Sequence, residues 1–359
     1  MKKVLFICKQ RGNGYGISYG LVNSCKFLVN LFNQSGIESK VVSVVDNNSI
    51  DREVHNYKPT HVFIEALWVV PDKFHTLLTK YKDIKWSVRL HSQIPFIAHE
   101  GIAFEWLNRY NELAQRYTNF CLSANNINMV NHLNAIFKDK HISSFGTAGT
   151  SGSGKGKSLV HYLPNVYFPD EYDMGEGKQW KPEKTVNIGC FGSIRPLKNH
   201  LYQAVASIIF ANSLDKKLKF HINGDRVEQS GESILKNLNY LFKNSPHELV
   251  CHPWSNHYDF IKVVREMDIC LQLSFSETFN IVAADAVWNR IPVVGSKDID
   301  WLDEIFKSEP TDDLSVLAKM KIAYFGREIN LQDKNKKSLI SYNKVSYDVW
   351  AKFLNLVYI

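Results

Sequence analysis

The chain has 359 residues, enough for two domains with separate cores. Its 45% hydrophobic and 22% charged content is that of an ordinary soluble protein, and no apolar run approaches the ~20 residues a bilayer-spanning helix needs. The formal net charge of +7 is unevenly spread: residues 1–150 carry 17 Lys and Arg against 11 Asp and Glu, the remainder 26 against 25. The excess in the first half suits an anionic partner such as nucleic acid or an acidic membrane surface, and serves equally well as plain solubilising charge.

Short apolar runs alternate with helical patterns from the start. "MKKVLFICKQRG" is too short in its apolar part to read as a signal peptide; it reads as a first strand and implies a cytoplasmic protein. Further strands are expected at 40–45, 61–67, 85–90 and 119–123, with helices including one that Gly36 ends and one that Pro71 opens. "GTAGTSGSGKGKS" (Gly146–Ser158) imitates a phosphate-binding P-loop, but Gly156 stands where Ser or Thr should follow Lys155, and Gly156-Lys157-Ser158 lacks the leading Gly. "LVHYLP" after it reads as extended chain rather than a helix, so a mobile Gly/Ser segment is the expectation. The alternation then restarts with strands in "TVNIGCFGS", "KLKFHING", "ELVCHPW", "DICLQLS" and "IPVVGS", helices in "NHLYQAVASIIFAN" and "HYDFIKVVREM", and a closing helix in "SYNKVSYDVWAKFLNLVYI".

Such alternation predicts parallel sheets covered on both faces. The expected fold is α/β, with two Rossmann-like doubly wound parallel-sheet domains facing across a cleft. The expected division is residues 1–158, then 159–338, with residues 339–359 a helix packing back on the first domain. The cysteines Cys8, Cys25, Cys121, Cys190, Cys251 and Cys270 form no C-x-x-C pair, so buried thiols in a reducing compartment are expected.

In doubly wound sheets ligands bind beyond the carboxyl ends of the strands. After the first strand, "KQRGNGYGIS" places Gly12, Gly14 and Gly16 before a helix, where free amides can hold an anion; a simple tight turn fits the spacing as well. In "FGSIRPLKNH", Gly192 permits a turn and Pro196 stiffens it. Arg195 and Lys198 stand close together, a planar fork and a point charge suited to a diphosphate. "SFSETFNIVAADAVWNRIPVVGS" puts Glu277 in a loop, leads through Thr278, Phe279 and Asn280 into a helix, and carries Asp285 inside it. A phosphate on the helix N-terminus would then have one carboxylate on each side.

With "INGD" at 222–225 and Asp268 before a strand, this order of elements over residues 160–359 resembles glycosyltransferase family 4, whose members have the GT-B fold and retain anomeric configuration. The resemblance is weaker in the first half, where it rests on the Gly-rich loop and on His91 after "WSVRL". It implies a UDP-sugar donor, no metal, Arg195 and Lys198 on the diphosphate, Glu277 on the transferred sugar and Asp285 on the ribose. It further implies backbone amides of Phe279, Asn280 and Ile281 on the phosphate, with Gly14, Gly16 and Gly192 lining the donor, and His91 facing the sugar. Three residues depart from the family pattern: Asp285 replaces Glu, Asn280 replaces Gly, and Trp288 stands at a small-residue position. "DID" at 298–300 imitates a metal-binding D-x-D and is expected to hold none. His99 and Glu100 near His91 lack zinc-helix spacing. Trp68, Trp86, Trp106 and Trp254 are expected in the core or at the cleft rim.

The reaction expected is transfer of a sugar to an acceptor hydroxyl. Charge in the first half points to a hydroxylated base in DNA, which would have to be flipped out; the family's habit points to saccharide or lipid-linked acceptors, with peripheral contact to an anionic membrane. A nucleotide-sugar binder without turnover, and a P-loop hydrolase using Lys155 or Lys157, are the competing classes.

Overall fold

The computed structural model describes residues 2–10, 19–138, 160–169, 177, 181 and 183–356. Gly12, Gly14, Gly16 and the Gly146–Ser158 run, with Lys155 and Lys157, lie outside the described residues. The chain forms two compact units: Met1–Phe168 with Val345–Ile359, and Pro169–Lys344.

Unit 1 follows the order β1 (Lys3–Lys9), α1 (Tyr19–Gln34), β2 (Glu38–Val44), α2 (Ser49–Tyr57), β3 (His61–Glu65), α3 (Pro71–Lys80), β4 (Lys85–Leu90), α4 (Ile94–Ile97), α5 (Ala103–Arg116), β5 (Phe120–Ala124), α6 (Ile127–Phe137) and β6 (Val160–Tyr162). All strand pairs are parallel, in the order β2-β1-β3-β4-β5-β6. Val4 to Cys8 are fully buried because both faces of β1 are covered. Leu5 and Ile7 join a cluster with Phe74, Trp86 and Tyr110. Phe6, on the opposite face, stacks on Phe63 at 5.3 Å and meets the edge of Trp350 at 6.0 Å.

Trp350 belongs to the last helix, α12 (Asp333–Phe353), whose part from Val345 onward lies in unit 1; its indole Nε1 donates to the Pro164 carbonyl at 2.8 Å. The border between the units falls at 168/169 rather than at 158/159. Its cause is β6, three residues long within the stretch read as extended chain, which pairs with β5 through Leu122 and Val160 and so draws residues 160–168 into unit 1.

Unit 2 contains β7 (Thr185–Gly189), α7 (His200–Ser213), β8 (Lys217–Asn223), α8 (Glu232–Phe242), β9 (Glu248–His252), α9 (His257–Arg265), β10 (Ile269–Gln272), α10 (Ile281–Trp288), β11 (Val293–Ser296), β12 (Lys307–Ser308) and α11 (Asp313–Phe325) before α12. Its strands are also all parallel, in the order β12-β11-β10-β7-β8-β9. The chain lays β7, β8 and β9 outward in one direction, then returns to place β10 on the other side of β7. The strand order therefore reverses between β7 and β10, and the loops leaving these two strands diverge around a crevice at their carboxyl ends. In unit 1 the equivalent reversal lies between β1 and β3.

Asp268, at the opposite end of β10, is structural: it accepts from the Asn187 amide at 2.8 Å and from Arg327 at 3.0 Å. The cysteines divide. Cys8, Cys25, Cys190 and Cys270 are buried, Cys121 is half-buried, and Cys251 is exposed against the buried-thiol expectation, since β9 is the sheet edge. Trp86 is core, while Trp68 and Trp106 pack half-buried against the same cluster.

Candidate functional site

The loop from β7 to α7 makes its turn at Gly192, where φ is +119°, a conformation L side chains rarely adopt. The Gly192 amide donates to Asn223 at 2.9 Å, which ties the loop to the "INGD" segment. Arg195 is extended, Pro196–Lys198 form a 3₁₀ turn, and Asn199 takes a left-handed conformation to enter α7. Asn199 and Gln203 then bind this turn to the other loop. Asn199 donates to the Leu273 carbonyl at 3.2 Å, and Gln203 accepts from the Leu273 amide at 3.0 Å while donating to the Lys198 carbonyl at 2.8 Å. The Phe275 amide closes the seam on the Leu197 carbonyl at 2.9 Å.

Across this seam the Lys198 ammonium contacts the Glu277 carboxylate, both groups mostly shielded from solvent. Lys198 and Glu277, 79 residues apart, are thus brought together at the β7/β10 reversal. Arg195, three residues upstream, is held by Glu228 at 3.7 Å, and Glu228 by Arg226 at 2.7 Å. Burial pushes Glu228 up, but Arg226 and Arg195 outweigh it and keep the carboxyl below its ordinary range. His200 records both cations. Burial, then Lys198, then Arg195 push its pKa down to about 3, so it is neutral at physiological pH.

Asn280 occupies the position the family pattern gives to Gly. Its backbone is left-handed, φ 56° and ψ 85°, a conformation Asn tolerates better than most residues. Its side chain caps α10, Oδ1 accepting from the Ala283 amide at 2.9 Å, while Nδ2 donates to Gln272 at 2.9 Å. Gln272 in turn donates to the Phe191 carbonyl at 3.1 Å, so cap, central strand and cation loop form one chain of bonds. Trp301 fixes the Phe279 carbonyl at 2.6 Å. The first turn of α10, entered through Phe279, Asn280 and Ile281, carries amides with no partner inside the helix and the positive end of its dipole.

Asp285 is placed differently from Glu277. Its side chain is 2% exposed and accepts from His257 Nε2 at 2.8 Å. Asp298, from the D-x-D look-alike, accepts from the Glu277 amide at 3.2 Å. Burial raises its carboxyl pKa, the Glu277 bond lowers it and the Glu277 charge raises it again. Among the described residues no cluster of three or more His, Cys, Asp or Glu could hold a metal. Trp288 ends α10 half-buried, with Lys336 4.9 Å above its ring, and Trp254 lies half-buried with Arg226 4.5 Å from its ring.

His91, in unit 1, belongs to a buried polar cluster at the ends of β3 and β4. Its Nε2 contacts Glu65, and Nδ1 lies 3.3 Å from Asn125. Glu65 also accepts from Arg89 at 2.9 Å, with both side chains fully buried. Burial pushes Glu65 up, but Arg89 and His91 outweigh it and hold the carboxylate ionised. An ionised carboxylate only accepts, so His91 carries its proton on Nε2; burial and Arg89 lower its pKa and keep it neutral. His99 and Glu100 are exposed.

His257, Glu228, Gln203 and Gln272 carry no motif in the sequence, and Asp298 showed there only as part of a metal-site imitation; the fold alone brings them to this site.

No protein-family model matches the chain, and no curated protein matches it. Solved structures share its fold. The UDP-forming α,α-trehalose-phosphate synthase of Burkholderia xenovorans superposes with a TM-score of 0.64 at 10% identity, covering 99% of each chain. The E. coli trehalose-6-phosphate enzyme bound to UDP-2-fluoro glucose gives 0.65 at 11% identity, over 99% of this chain and 100% of that one. TarM of S. aureus, solved with UDP and α-GlcNAc-glycerol, gives 0.56 at 9%, over 82% of this chain and 55% of that one. The two six-stranded parallel sheets are those of the GT-B fold.

Proposed function

We propose that the protein is a retaining glycosyltransferase, allied to glycosyltransferase family 4, that transfers a sugar from a UDP-sugar to an acceptor hydroxyl in the cytoplasm. The observation that carries this reading is the Lys198–Glu277 contact at the strand-order reversal of unit 2, beside the N-terminus of α10. Breaking the sugar–phosphate bond builds negative charge on the departing diphosphate. Lys198, Arg195 and the α10 amides are fixed before the reaction begins, so they stabilise that charge more than the ground state. When the diphosphate takes Lys198, Glu277 is released toward the hydroxyls of the transferred sugar. The acceptor attacks on the face the diphosphate leaves, and a diphosphate oxygen receives its proton. No protein nucleophile and no metal enter this scheme.

Two acceptor classes each have one observation in favour. The basic excess in residues 1–150 favours a hydroxylated base in DNA; the trehalose-phosphate synthases that share the fold favour a saccharide or sugar phosphate. Incubation with UDP-glucose or UDP-N-acetylglucosamine is expected to release UDP slowly without acceptor, and Glu277→Ala to abolish the release. Unchanged release in Glu277→Ala rejects this site. Mass spectrometry of hydroxymethylated duplex DNA and of sugar phosphates, each incubated with donor, decides between the acceptors, and NMR of the anomeric proton tests retention.

A further inference from the structure

In the site just described, the carboxylate assigned to the ribose is withdrawn from solvent. Asp285 lies in the second turn of α10 with a side chain one methylene shorter than Glu and 2% exposed. The whole residue is buried, on a helix that packs against β10. A ligand outside the sheet therefore meets something other than Asp285.

That something is His257. It opens α9, directly after the loop from β9, and its side chain is 20% exposed where Asp285 is 2%. His257 Nε2 lies 2.8 Å from Asp285 Oδ1, and with the carboxylate oxygen as acceptor the ring nitrogen is the donor. The pair cannot drift apart: Arg265, at the other end of α9, donates to Asn289 at 2.8 Å, and Asn289 donates to the Asp285 carbonyl at 2.8 Å. α9 is thereby fastened to α10 at both ends, and the imidazole is held with fixed tautomer and orientation at the carboxyl edge of the sheet. A carboxylate behind a histidine makes the imidazole a stronger hydrogen-bond acceptor for a hydroxyl.

We propose that His257 is a specificity-determining residue of the donor site that contacts a ribose hydroxyl of the nucleotide, with Asp285 as the positioning residue behind it. This rests on the assignment of unit 2 as a UDP-sugar site. The shorter carboxylate and the histidine together take the place of a single longer carboxylate.

The test is calorimetric titration of the full chain with UDP, 2′-deoxy-UDP and 3′-deoxy-UDP. The intact protein is expected to prefer UDP over at least one deoxy analogue by about tenfold, the worth of one good hydrogen bond. His257→Ala is expected to bring that ratio near one by weakening UDP while leaving the analogue unchanged. His257→Ala with Asp285→Glu is expected to restore much of the preference, because the longer carboxylate then reaches the hydroxyl. Asp285→Asn keeps the shape of the pair and removes its charge; it is expected to lower the ratio severalfold and decides the matter alone if His257→Ala does not fold. An unchanged ratio in His257→Ala, or in Asp285→Asn where only that variant folds, overturns the role of His257 while UDP binding persists. Failure of the intact protein to bind UDP overturns the donor site itself, and this proposal with it.

Discussion

Asn280 offers a test of how the site is built. Replacing it with Ala removes the N-cap of α10, a loss of about 1 kcal/mol, and forces a residue without a local polar side chain into the left-handed region at about 1 kcal/mol. It also leaves the Gln272 side chain, 2% exposed, without its donor, at about 1–3 kcal/mol. Asn280→Ala is therefore expected to lose about 3–5 kcal/mol in all. Asn280→Gly restores the residue type of the family pattern and removes the backbone strain, and Gly is nearly as good a cap, so about 1–3 kcal/mol remains from Gln272 alone. Urea unfolding followed by circular dichroism reads both, provided the dependence on denaturant stays constant. If Asn280→Gly matches or exceeds the natural protein in stability, the bond to Gln272 contributes nothing and the chain of bonds from cap to cation loop is not what holds the loop.

Two further outcomes follow from buried ionisable groups. His200 has a pKa pushed down to about 3 against about 6.5 in the unfolded chain, so below about pH 6.5 the unfolded state binds a proton the folded state refuses. The stability due to this residue is complete above that pH and falls by about 1.4 kcal/mol per unit on acidification toward pH 3. His200→Leu is expected to flatten the fall in urea midpoint between pH 6.5 and 5, and identical slopes would count against the burial of a neutral ring. Glu65→Gln strips the counter-charge from fully buried Arg89 and is expected to destabilise the protein by about 3–5 kcal/mol; a loss under about 1 kcal/mol would mean that Arg89 finds another partner.

Strand–helix alternation alone determined the doubly wound architecture of both units: among the described residues ten of the twelve strands show as short apolar runs between helical patterns, the central ones because a parallel strand covered on both faces is apolar on both, while the edge strands β2 and β9 stay partly exposed. The loops holding Arg195, Lys198 and Glu277 were legible for a similar reason: Gly, Pro and a helix N-terminus in fixed order leave a local trace. β6, three residues long, showed only as a stretch of extended chain and β12, two residues long, left no trace; the unit border moved with β6. The strand order was likewise settled only by the fold, since which loops flank the reversal depends on pairings between distant segments. Asp285 marks the boundary of what sequence could decide. Its position in the pattern suggested a ligand contact, but whether a carboxylate faces solvent or a neighbouring histidine is fixed by how α9 packs on α10, a contact between residues 28 apart that no local pattern encodes.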